Sequence, residues 1–243
     1  MRRPPRGFER VTRGRLRALV RTEAVIALGP LLEQWARRAE RPGRALPGGR
    51  GGAQAFDVEP TLSVVLRPYL RGGLIRHLSR EHYFGFRPRP FRELMVTETL
   101  RARGVPTVDV LAAAACWVLP GCYRGALISR EVAGASTLWQ CLRSAAPAER
   151  ERIAAAAAAA TRTLHAAGGI HPDLNLQNYL VSRVAGGYEV RVIDLDGVRL
   201  RPATQRDRQA AFDRICRSIR RLDPAAEVVT LACIEALHAI TAE

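Results

Sequence analysis

Three oxygen-bearing side chains, set at fixed distances along one stretch of chain, restrict the fold more than any other feature. His171-Pro172-Asp173 opens a loop, Asn178 lies five residues after Asp173, and Asp194 ends the mostly apolar run 190–193. Before the loop, composition predicts a long helix over residues 147–167. It has an acidic first turn (Glu149, Glu151), an alanine run at 154–160 and a Gly168-Gly169 stop. After the loop, the pattern predicts a hairpin of residues 179–184 and 188–193 around Ala185-Gly186-Gly187. In H-x-D-x-x-x-x-N followed by a strand and an Asp, each residue has a chemical task. The first Asp accepts or orients a substrate hydroxyl proton, and the Asn and second Asp offer the oxygen ligands that a hard Mg²⁺ prefers. Each fragment is common by itself. Their order, after one helix and before another, is the signal.

Phosphoryl transfer by such a loop also needs glycines over the phosphates, a cation on a strand and a helix carboxylate that fixes the cation. Gly49, Gly51 and Gly52 supply the first, although Gln54 stands where G-x-G-x-x-G has its third glycine. Strands are expected at residues 53–58 and 62–67, parted by Glu59-Pro60. Val64-Val65-Leu66-Arg67 takes the place of V-A-I-K, with arginine for lysine. Alternation puts Val65 and Arg67 on one face and Val64 and Leu66 on the other. A helix expected over residues 91–103, stopped by Gly104, carries Glu93 as the partner of Arg67 and Glu98 as the second choice. Further strands are expected at 105–115 and 125–132, and two C-terminal helices between Arg206 and Ala242, broken at Asp223-Pro224.

Charge adds a second constraint. The net formal charge is +15, and with no lysine in the chain all 38 basic residues are arginine. A lysine mechanism is thereby excluded, and a planar, forked guanidinium must serve instead. An inactive pseudokinase that binds membrane or nucleic acid stays open on this ground. Residues 1–47 hold 12 arginines against 4 glutamates, so the N-terminal stretch attracts phosphates, on nucleic acid or on anionic lipid. Within it, residues 13–38 carry leucines and valines among arginines at fair helical spacing. No apolar run approaches the roughly 20 residues of a membrane-spanning helix. Five cysteines without a C-x-x-C pair fit a reduced, cytoplasmic compartment.

These residues carry a resemblance. The chain resembles the bacterial lipopolysaccharide kinases, and within them the branch acting on 3-deoxy-D-manno-octulosonic acid (Kdo). The matching stretches are Leu66-Arg67-Pro68-Tyr69-Leu70-Arg71-Gly72-Gly73-Leu74, Phe91-Arg92-Glu93 and Gly104-Val105-Pro106-Thr107. Later come His171 to Asn178, Ile193-Asp194-Leu195-Asp196 and Arg217-Ser218-Ile219-Arg220-Arg221. The resemblance implies an α+β, two-lobed, protein-kinase-like fold with a β-rich N-lobe and a helical C-lobe. The basic, helical N-terminal arm expected at 1–44 lies outside the resemblance; the change from strand-rich to helix-rich sequence sets the expected N-lobe at 45–132 and C-lobe at 133–243. The resemblance also implies ATP and Mg²⁺ as cofactors, Asp173 as catalytic base, Asn178 and Asp194 as metal ligands, and Gly49, Gly51, Gly52, Arg67 and Glu93 as the ATP-binding set. The implied acceptor is Kdo on lipid A, reached by peripheral contact with the cytoplasmic face of the inner membrane. Only 49 residues follow Asp194, too few for the activation segment and helices that grip a peptide in protein kinases. The acceptor is therefore small or a head group, and a soluble sugar or aminoglycoside-like acceptor is the alternative.

Overall fold

A computed structural model of the chain describes residues 4–39, 42–46, 52–70 and 81–242. Two compact units result: residues 1–98 with 109–131, and residues 99–108 with 132–243. Gly49 and Gly51, and Arg71 to Arg80 of the resembling stretch, lie outside the described residues.

Among the described residues, the first unit is an antiparallel sheet with two α-helices. Its strands are β1 (Phe8–Arg13), β2 (Leu16–Arg21), β3 (Arg44–Ala45), β4 (Gln54–Glu59), β5 (Leu62–Pro68), β6 (Tyr83–Phe84), β7 (Val110–Leu119) and β8 (Cys122–Arg130). They lie in the order β1-β2-β7-β8-β5-β4-β3, and β6 continues the line of β5 along β8. Helix α1 (Val25–Arg37) buries Leu28, Leu31 and Leu32 against Val64, Leu66, Phe56, Ala126 and Ile128 of the sheet. The alternation read from the sequence therefore holds in β5: Val64 and Leu66 face α1, and Arg67 faces the other way. Helix α2 (Arg89–Ala102) lies on that other face, where Arg67 meets Glu93 and Arg21 meets Glu98. Gly125 on β8 allows the approach, since a Cβ there would stand 2.7 Å from Pro90.

The N-terminal segment departs from the expected helical arm. Helix begins only at Val25, and residues 8–21 form a hairpin whose second strand pairs with β7 from Leu16↔Cys116 to Val20↔Ala112. The cause is a period of two. Leu16, Ala18 and Val20 enter the core under α1, while Arg17, Leu19 and Arg21 take the opposite face. The strand expected from residue 105 starts at Val110 instead. Pro106 cannot donate to a ladder, and the 105–108 stretch joins the second unit, where Thr107 donates to the Val192 carbonyl at 2.6 Å.

In the second unit, β9 (Ser136–Thr137) and α3 (Leu138–Ser144) precede the long helix α4 (Pro147–Ala166). Then come β10 (Gly169–Ile170), the hairpin β11 (Tyr179–Val184) and β12 (Gly187–Val192), β13 (Arg199–Leu200), α5 (Gln205–Leu222) and α6 (Leu231–His238). The α4 alanines serve close packing: Ala154, Ala157 and Ala158 are fully buried, and the helix lies on α6 and β12. Thr161 of α4 shares a hydrogen bond of 2.7 Å with the buried Tyr179 hydroxyl. A Cβ on Gly169 would overlap Leu164, so glycine is required where α4 turns into the loop.

Two outcomes follow from this packing. Removal of residues 1–21 strips β7 of its outer neighbour and opens the core under α1, so the truncated chain is expected to lose its cooperative melt by circular dichroism. His165 on α4 is buried, its Nδ1 has no hydrogen-bond partner, and its pKa is pulled down to about 4 by burial, then by Arg208, against Asp207. The unfolded chain takes that proton near pH 6.5 and the folded chain does not, so stability falls as the pH drops through this range. The expected loss between pH 7 and pH 5 is about 2 kcal/mol. His165→Leu removes this share, checked by urea unfolding at both pH values.

Candidate active site

Phosphoryl transfer of the kind expected from the sequence needs a fixed cation, and the first unit fixes a guanidinium. Arg67, near the end of β5, places one guanidinium nitrogen 2.6 and 2.7 Å from the two carboxylate oxygens of Glu93. Glu93 is 3% exposed. A carboxylate so buried persists only if paired and hydrogen-bonded. Tyr69, two residues beyond Arg67 on the same face, donates its hydroxyl to Glu93, and the Arg67 guanidinium lies 5.0 Å from the Tyr69 ring centre. Glu98 is engaged elsewhere, 3.0 Å from Arg21, which also reaches Asp109 at 3.0 Å. The structure thus pairs Arg67 with Glu93. The part played by Tyr69 was not assigned from sequence, although its two-residue spacing from Arg67 places it on that face. Gly52 has a positive φ of 74° and stands against Pro68 and Leu70 at the end of β5. A cavity of about 710 Å³ opens on the α1 side, between Leu31, Trp35, Phe56, Leu66 and Arg124. Neither Arg67 nor Glu93 is in its lining.

The second unit builds the loop. His171 is 2% exposed. Its Nδ1 accepts the Asp173 N–H at 3.2 Å, which leaves Nε2–H to face the Ile193 carbonyl at 3.4 Å. Burial holds its pKa below the ordinary value, against the pull of the Ile193 carbonyl, Asp194 and Asp173, so the ring is neutral and its tautomer is fixed by these two bonds. One imidazole therefore spans the gap between the residue preceding Asp194 and the backbone of Asp173. Asn178 closes the loop. Its side-chain amide donates to the Asp173 carbonyl at 2.8 Å, and its own carbonyl accepts the Ile193 N–H at 2.9 Å. Leu174 and Leu176 are fully buried and anchor the loop, and the Leu176 N–H donates to Ser218 of α5 at 3.3 Å.

The carboxylates lie above this buried frame. Asp173 and Asp194 are both exposed. Asp194 has φ of 60°, a left-handed conformation that non-glycine residues seldom adopt and that collects at functional sites. Gly197, with φ of 81°, lets the chain pass beside Pro172, which a Cβ there would meet at 3.4 Å. The amide nitrogen of Asn178 is committed to the loop, so its oxygen is the end a cation would meet. Together with the Asp194 carboxylate this is an all-oxygen donor set, which fits Mg²⁺. Among the described residues, no three His, Cys, Asp or Glu side chains cluster to hold a metal unaided.

Residues 33–239 match the lipopolysaccharide kinase (Kdo/WaaP) family. The chain belongs to that family. Relatives named 3-deoxy-D-manno-octulosonic acid kinase are similar along most of its length. The one from Xylella fastidiosa strain 9a5c is 35% identical over 181 residues, covering 72% of this chain and 68% of its own. That of Xanthomonas euvesicatoria pv. vesicatoria strain 85-10 is 36% identical over 200 residues, covering 78% and 73%. The solved structure of WaaP in complex with acyl carrier protein superposes with a TM-score of 0.58 at 15% identity, covering 93% of this chain and 88% of that one. This lipopolysaccharide kinase has a protein-kinase-like fold and is a phosphotransferase. The β1–β2 hairpin precedes the span matched by the family.

Loss of the buried pair should damage both fold and phosphate binding. Arg67→Met leaves Glu93 without this cation and is expected to destabilise the protein by about 3 kcal/mol. Arg67→Met with Glu93→Gln should recover much of the stability and none of the nucleotide affinity. Paired urea melts and nucleotide titrations measure both.

Proposed function

We propose that this protein transfers the γ-phosphate of ATP to a hydroxyl of Kdo on lipid A. The observation that carries the reading is the closed loop in which His171 and Asn178 tie Asp173 to the strand leading into Asp194. The naming of relatives at about 35% identity as Kdo kinases supports the choice of acceptor. So does the short distance from Asp194 to α5, which begins at Gln205 and leaves little chain for gripping a peptide.

Each residue has a role in this reading. Asp173, exposed and held by its own backbone, orients the acceptor hydroxyl and takes its proton as the new P–O bond forms and ADP departs. Arg67, aligned by Glu93 and Tyr69, offers guanidinium N–H groups to phosphate oxygens. Gly52, with Gly49 and Gly51 outside the described residues, is assigned to those phosphates from the sequence. Asn178 and Asp194 would hold Mg²⁺, which would neutralise phosphate charge there. No helix among the described residues is long and apolar enough to cross a membrane. A lipid-linked acceptor then requires the enzyme to work from the surface of the inner membrane, on its cytoplasmic side where ATP is.

The test is mass spectrometry of Kdo–lipid A after incubation with ATP and Mg²⁺. One added phosphate is expected with the wild type. Asp173→Ala and Asp194→Ala should each lower turnover by about 10³-fold or more with the melting temperature unchanged. Full activity in either variant, or no phosphate added by the wild type, contradicts the assignment.

A further inference from the structure

We propose that the turn end of the first unit's sheet is a docking tip for an anionic lipid bilayer. The proposal rests on the lipid-linked acceptor above and names the surface that would meet it. Strand register brings three segments to this end. The β7–β8 turn is residues 119–122. The β1–β2 turn lies beside it, because the Trp117 N–H donates to the Arg15 carbonyl at 3.0 Å and the Arg15 guanidinium reaches the Val118 carbonyl at 3.4 Å. On the other side β6 pairs Phe84 with Cys122, and the Gly85 N–H donates to the Gly121 carbonyl at 2.8 Å.

The side chains there are apolar and unburied. Phe84 is 72% exposed, Phe86 81% and Leu119 65%. A single exposed apolar residue is ordinary. These three adjoin. Leu119 and Phe84 are both register partners of Cys122, which puts them on one face of the sheet to either side of it. The Phe86 ring lies over the turn, 3.4 Å from where a Cβ on Gly121 would be. Contiguous exposed apolar surface of this kind marks an interaction site.

The charge around the patch selects the occupant. Residues 13–19, 82–92 and 116–124 contain no acid. Arg13 turns aside to Glu33 on α1. Arg15, Arg17 and Arg87 have no carboxylate partner among the described residues, and Arg89 projects from the same segment over the Tyr83 ring. Aromatic and aliphatic side chains ringed by arginine suit a surface of acyl chains under anionic head groups. A second copy suits it poorly, because a two-fold contact through this patch sets arginine against arginine. Trp117, half-buried against Tyr123, lies two residues before Leu119 near the same end of β7.

Co-sedimentation of the full chain with phosphatidylglycerol–phosphatidylcholine vesicles, and with phosphatidylcholine alone, tests this. Wild type should bind the anionic vesicles. Phe84→Ser with Phe86→Ser and Leu119→Ser should weaken that binding at least tenfold, without change in melting temperature or in phosphate transfer to a deacylated, water-soluble acceptor. Arg15→Ser with Arg87→Ser should lose the preference for anionic lipid. Wild-type binding by the triple variant, equal binding to both vesicle types, or a dimer that the triple variant abolishes would each overturn the proposal. Vesicle binding is read without turnover, so failure of the Kdo reading shows separately, as absent phosphate transfer.

Discussion

A carboxylate out of reach of water must be answered by a charge, and Glu93 imposes that demand on the first unit. Arg67 and Tyr69 answer it from one strand face, which fixes where α2 lies against the sheet. The same contact aligns the guanidinium. A lysine ammonium could satisfy the charge as a point, whereas the planar guanidinium carries further N–H groups beside the one nitrogen that meets both Glu93 oxygens. In a chain whose every basic residue is arginine, a buried partner with two oxygens holds in place the guanidinium that we propose meets phosphate. Arg21 repeats the arrangement one strand pair away, with Glu98 and Asp109, so two guanidinium groups carry α2.

The second unit reaches order by a different route. Its functional loop is held by backbone and amide hydrogen bonds rather than ion pairs, and its two acids stay exposed while His171 and Asn178 are buried below them. Keeping His171 neutral matters, since a protonated ring could not accept the Asp173 N–H. The left-handed backbone at Asp194 is held in place by that frame.

Much of this was legible in the residues and some was not. Local periodicity placed β4, β5, α2, α4 and the β11–β12 hairpin within a few residues, because each shows its own pattern without help from distant chain. The pairing of Arg67 with Glu93 followed from alternation and helix spacing, and Glu98 was separated from it only by the demand of Arg21, which no local pattern reveals. The N-terminal hairpin was misread because leucines among arginines fit a helix nearly as well as a strand, and pairing with β7 decides between them. Helix α3 was missed although Thr137 and Gln140 form a capping box. The tie from His171 to Ile193 spans 22 residues and has no sequence signature. The exposed tip was equally hidden, since Phe84 and Leu119 become neighbours only through strand register.

The proposed transfer requires Asn178 and Asp194 to meet one divalent ion when nucleotide is bound. Electron paramagnetic resonance of Mn²⁺, titrated into the protein with a non-hydrolysable ATP analogue, addresses this directly. The expected result is a bound-Mn²⁺ signal that requires nucleotide and is lost in Asp194→Asn. An undiminished signal in that variant would contradict it.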